Sequence, residues 1–135
     1  MMEILSFDDL LLAARARDEP QRLLFVFAGA ELPDDSTPEE RARFEAGEGG
    51  ALTPLMCADK SPEELTGFDA LALESRQFGR DWVMVFVAAL AGRGGRVPTT
   101  VEAEPVLATM VEAIKAGRIG EFIPFDRQGQ SVVLG

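Results

Sequence analysis

RLLFVFAGA, residues 22–30, and DWVMVFVAAL, residues 81–90, are the two stretches on which the fold turns. Neither alternates apolar with polar residues, as a strand with one wet face does. Both have strand length and are apolar at successive positions, which requires cover on both faces of a sheet. ALTPLMCA, residues 51–58, is a third strand candidate, and Pro54 restricts it to a sheet edge or to a start at Leu55. Residues 121–125 and 131–134 supply two more. The loop between them, Asp126-Arg127-Gln128-Gly129, suits an antiparallel hairpin.

Four helix starts share one device. Ser6-Phe7-Asp8-Asp9, Thr37-Pro38-Glu39-Glu40, Ser61-Pro62-Glu63-Glu64 and Thr99-Thr100-Val101-Glu102 each set a hydroxyl three residues ahead of a carboxylate. The hydroxyl accepts from a free first-turn amide and the carboxylate reaches back to the cap amide. The spacing predicts a helix over 7–17 with Phe7, Leu10, Leu11 and Ala14 inward, and a short polar one over 38–46. A third runs over 62–78 with Leu65, Phe68, Leu71, Ala72 and Phe78 inward. The fourth carries Val106, Leu107, Met110, Val111 and Ile114 and ends at Lys115-Ala116-Gly117, with Pro105 predicting a kink or a late start. Strands alternating with helices imply right-handed crossovers. The expectation is one three-layer α/β domain over residues 1–135. It has a mixed, largely parallel sheet of about five strands, helices on both faces and a C-terminal β-hairpin.

Composition excludes several functions. The formal net charge of −10 repels nucleic acid and anionic membrane alike. Residues 31–64 hold ten acids against three bases, whereas residues 65–135 hold eight against seven. An acidic flank beside a nearly neutral half fits either a solvated, solubilising face or self-association and a basic partner. No apolar window approaches the roughly 18 residues of a membrane span, and Met1-Met2-Glu3-Ile4 lacks the basic region of a signal peptide. A cytoplasmic protein is expected. With one cysteine and no histidine, neither an internal disulfide, a structural zinc site nor a Ser-His or Cys-His pair can be built. No catalytic residue, metal or cofactor is assigned, and the balance favours a non-enzymatic role.

In open α/β sheets, ligands sit outside the carboxyl ends of parallel strands. Here that rule gathers Glu31, Asp34, Asp35, Asp59, Lys60, Arg93 and Arg96 along one rim. The loop Gly92-Arg93-Gly94-Gly95-Arg96 has glycines that free backbone amides for an anion and arginines that add charge. It lacks the third glycine of a dinucleotide fingerprint and the Lys-Ser/Thr ending of a P-loop, and a phosphate arriving there would meet Glu102 and Glu104 in the first turns of the next helix. Two readings stand: a turn with a solvated arginine pair, or a site for a small anionic ligand. Cys57 likewise reads as a packed strand residue or, beside a helix start and Lys60, as a reactive thiol. Asp34-Asp35 and Glu39-Glu40 do not converge as a hard cation requires. Phe122 and Phe125, in EFIPF, are candidate interface residues if the hairpin lies at a sheet edge.

Across QRLLFVFAGAELP, FEAGEGGALTPLMC, VFVAALAGRGGR and MVEAIKAGRIGEFIPFDRQGQ, nearly the full chain resembles a family of short, uncharacterised proteobacterial proteins. Members are sometimes labelled as a ribonucleotide reductase alpha subunit. That reductase needs a much larger barrel and several redox cysteines, so the label does not fit a chain with one. The resemblance implies a bacterial cytosolic source and brings no catalytic residues with it. The leading expectation is a non-enzymatic protein-interaction or accessory module that forms a homodimer; the alternative is a small-molecule binder or enzyme using the loop around Gly92–Arg96.

Overall fold

Gln21–Glu31 forms the central strand, β1, in the computed structural model of the chain, which describes residues 4–31, 36–45, 51–77 and 82–132. Leu23, Leu24, Phe25 and Val26 are all fully buried, so neither side of the strand meets water. β2 (Ala51–Lys60) pairs along one side of β1 and β3 (Met84–Ala91) along the other. The short β4 (Ile123–Phe125) lies beyond β3, giving the order β2-β1-β3-β4. Every pairing is antiparallel.

A four-stranded antiparallel sheet thus replaces the expected mixed, largely parallel sheet of about five strands. The connections explain the difference. Between β1 and β2 lies α2 (Pro38–Glu45), whose side chains from Pro38 to Arg43 are exposed. A helix without an apolar stripe has nothing to bury on a sheet, so the chain returns beside β1 instead of crossing over it. β2 and β3 do run parallel to each other with a helical crossover between them. β1, however, lies between the two and pairs antiparallel with both.

Helices cover the two faces separately. α1 (Phe7–Arg15) and α3 (Phe68–Arg76) pack with Leu23, Phe25 and Phe27 of β1 and with Val85 and Val87 of β3. Phe7 sits at the centre of that layer, its ring 5.4 Å from Phe68, 5.6 Å from Phe125 and 5.9 Å from Phe25. α4 (Thr100–Lys115) covers the opposite face, setting Ala103, Met110 and Ile114 on Leu24, Val26, Ala28 and Phe86.

Two predicted helices differ in detail. The third is divided, because the capped turn at Pro62–Glu64 stops at Leu65 and α3 starts only after Gly67. The fourth begins at Thr100 and continues through Pro105, whose missing amide leaves free the carbonyl of Val101, a residue turned to water. Of the closing hairpin, Ser131 bridges to Phe125, while residues 133–134 of the expected last strand lie outside the described residues, as does Phe78. Among the described residues, no helix is long and apolar enough to cross a membrane.

Candidate functional site

Antiparallel pairing divides the expected rim between the two ends of the sheet. Glu31 closes β1 opposite Ala51, while the end of β2 lies opposite Leu23 and the end of β3 opposite Gln21. Glu31 is nine residues along β1 from Arg22, about 30 Å at strand rise. It therefore does not join Asp59, Lys60, Arg93 and Arg96, and Asp34 and Asp35 lie outside the described residues. Asp59 and Lys60 are separated in a second way. As neighbours in a strand they point to opposite faces, Asp59 beneath α4 and Lys60 towards α3, where its Nζ lies 2.9 Å from Glu74 Oε1.

Beneath the start of α4, Asp59 belongs to a polar cluster. Arg22 Nε donates to Asp59 Oδ2 at 2.5 Å, and both side chains are largely buried, at 13% and 14% exposure. Thr100 Oγ1 donates to the same carboxylate oxygen at 2.8 Å and accepts from Arg22 Nη2 at 2.9 Å. Arg22 Nη1 also reaches the Pro98 carbonyl at 3.3 Å. Each of the three side chains is bonded to the other two, so this cluster joins β1, β2 and the α4 start mechanically. Arg22 was not among the sequence candidates. Its only signal is a charge at the mouth of an apolar strand.

The Gly92–Arg96 segment is a tight hairpin of its own. The Arg96 amide donates to the Arg93 carbonyl at 3.1 Å, and the two arginines form a bridge across the turn. Gly94 and Gly95 have φ of 61° and 75°, the left-handed pair that a type I′ turn requires. At Gly92, where the amide donates to the Pro20 carbonyl at 2.8 Å, a Cβ would strike the Arg96 carbonyl oxygen. The glycines thus serve the turn. The Gly95 amide is occupied as well, donating to Glu19 Oε2 at 3.2 Å.

Beside this turn is a cleft of about 310 Å³ lined by Leu90, Gly92, Arg93, Arg96, Pro98 and Glu102 among others. Glu102 caps α4: its Oε1 accepts from the Thr99 amide and hydroxyl, each at 3.1 Å. These two bonds, led by the amide, hold the Glu102 carboxyl below the ordinary glutamate range, and Arg96 and Arg93 add to the effect. The cleft therefore carries two guanidinium groups and one firmly ionised carboxylate. The sequence reads Glu102 as a cap and, with Glu104, as a carboxylate that a phosphate at the loop would meet; of the two, Glu102 lines the cleft beside both arginines.

The remaining candidates separate sharply. Phe125 is fully buried and packs edge-on against Phe7, so it is not an interface residue. The reason is that β4 pairs inward on β3 and points Phe125 into the α1 layer. Phe122 is half-buried against the α4 layer. Cys57 is exposed on β2, not packed in the core. Its thiol is pushed up by partial burial, and Lys60, on the other face, is engaged by Glu74. An activated thiolate needs the opposite environment. Compared with family models, curated proteins and solved structures, the chain matches none.

Proposed function

We propose that this chain acts through protein contacts, as a homodimer in which the outer edge of β2 pairs with β2 of a second copy. The observation that carries the reading is the position of β2. It ends the sheet, and among the described residues no strand pairs with its outer side. An unpaired edge of ten residues offers backbone donors and acceptors to another strand, interrupted only at Pro54, which has a carbonyl but no amide hydrogen. Its two charges do not guard it, since Asp59 and Lys60 are engaged by Arg22 and Glu74 within the chain.

The irregularity in β2 supports a particular register. The pairing with β1 shifts between Phe27 and Ala28, where Met56 and Pro54 are their partners and Leu55 is the extra residue. A two-fold antiparallel pairing centred between Leu55 and Met56 sets Asp59 opposite Leu52, Ala58 opposite Thr53 and Cys57 opposite Pro54. The extra residue brings both members of each pair to the same face, as adjacent strands require, and no like charges meet. The same reading sets the protein in the cytoplasm, where a lone exposed thiol stays reduced.

Sedimentation or light scattering should give a dimer for the native chain. A short bis-maleimide should join the two Cys57 thiols, which this register places about 10 Å apart along the strands. Cys57→Lys, at an exposed position, should leave the fold intact by circular dichroism and give a monomer, because an edge lysine opposes strand addition. A monomeric native protein, or a dimer indifferent to Cys57→Lys, would sink this reading.

A further inference from the structure

The Arg93–Arg96 turn contains a juxtaposition that folding does not explain. Two residues directly opposite each other in an antiparallel bridge carry their side chains on the same face, and like charges so placed are unfavourable. Neither guanidinium is in an ion pair among the described residues, in contrast to Arg22, Lys60 and Lys115. The type I′ geometry depends on Gly94 and Gly95 and asks nothing of the flanking arginines. Both arginines nevertheless line the same cleft, on a protein whose overall charge is −10. A pair of guanidinium groups is suited to hold one carboxylate through several parallel N–H donors.

Glu102 limits what else that ligand can be. Its Oε1 is taken up by Thr99, and its carboxylate lines the same cleft. The lining thus sums to one positive charge, from two arginines and one glutamate. A dianion such as phosphate would set its second charge against Glu102, whereas an amine would meet it favourably. At about 310 Å³ the cleft matches the low end of small-molecule sites. We propose that the cleft beside the Arg93–Arg96 turn binds a small amphoteric molecule, with its carboxylate on the two guanidinium groups and its amine on Glu102. This site is independent of the β2 edge and stands or falls apart from the dimer.

The test is an amide NMR titration of the full chain with glycine, 4-aminobutyrate, acetate and inorganic phosphate. One of the two amino acids should saturate, at lower concentration than acetate or phosphate, with shifts centred on Gly92, Gly94, Gly95, Thr99 and Glu102. Arg93→Ala and Arg96→Ala, which leave the turn glycines in place, should each weaken it about tenfold, the size of one charged hydrogen bond. Glu102→Gln retains a capping partner for Thr99. It should abolish the advantage of the amine and tighten acetate about threefold, as expected for removing one exposed like charge. The proposal is overturned by absence of saturation with all four probes, or by acetate or phosphate binding as tightly as the amino acids. Unchanged binding in the arginine variants would overturn it equally.

Discussion

Phe7 shows how much of this protein rests on single side chains. It opens α1, is fully buried, and meets rings from β1, α3 and β4, while its amide donates to the Gly129 carbonyl at 2.7 Å. Truncating it removes contacts to three other elements at once and leaves a void that their backbones cannot close. Phe7→Ala should cost about 4 kcal/mol in urea unfolding. Leu12→Ala, on the same helix but 56% exposed, should change stability by less than about 0.5 kcal/mol. A small loss at Phe7 would mean that the layer around it repacks. Trp82 illustrates the same economy with a polar handle: its Nε1 donates to Ser75 Oγ at 2.8 Å, and Ser75 in turn donates to the Ala72 carbonyl at 2.6 Å. The indole can therefore be buried without an orphaned donor.

At the scale of elements, the capping motifs are the most faithful link from sequence to structure. Ser6, Thr37 and Thr99 each accept from the amide three residues on, as the S/T-x-x-D/E pattern implies. Thr99→Ala should destabilise the fold by about 1 kcal/mol. Its pH dependence has a definite sign. The folded Glu102 carboxyl titrates below the ordinary value because the Thr99 amide and then the Thr99 hydroxyl donate to it. Its stabilisation is thus complete above the ordinary glutamate value and is lost as pH falls through the lower, folded one. Carbon-detected titration of the Glu102 carboxyl should show a depressed midpoint that rises in Thr99→Ala. The stability gap between the two proteins should narrow over the same acid range. An unchanged midpoint would show that the cap does not hold the carboxylate in solution. Thr37 lowers the Glu40 carboxyl in the same way, again with the amide leading.

For the whole molecule, the decisive fact is that β1 lies at the centre of everything, paired on both edges and covered on both faces. Its amides can open only when the sheet comes apart, whereas α2 has exposed side chains along its length from Pro38 to Arg43. Native-state hydrogen exchange should therefore find Leu24, Phe25 and Val26 protected to the level of global unfolding. The amides of α2 should exchange orders of magnitude faster. Protection of α2 comparable to that of β1 would show that another surface covers it. The same asymmetry explains the antiparallel sheet, since an uncovered, polar α2 does not draw the chain across a face.

The sequence by itself determined where burial falls. The unbroken apolar run of β1 announced cover on both faces, the spacing of Phe7, Leu10, Leu11 and Ala14 marked the inner side of α1, and the hydroxyl-carboxylate pairs marked helix starts. The Gly92–Arg96 segment was legible as a turn with an arginine pair opposed by the Glu102 and Glu104 carboxylates, though not which of the two would line the cleft. Strand direction, the loss of the single rim, the burial of Phe125 and the Arg22–Asp59–Thr100 cluster were decided only by the tertiary structure. The physical reason is one of range. Periodicity and capping express interactions within a few residues, and two-sided burial is the same for a strand whichever way its neighbours run. Direction depends on whether each connection carries enough apolar surface to cross the sheet, and contacts such as Arg22 with Asp59 exist only once that choice has been made.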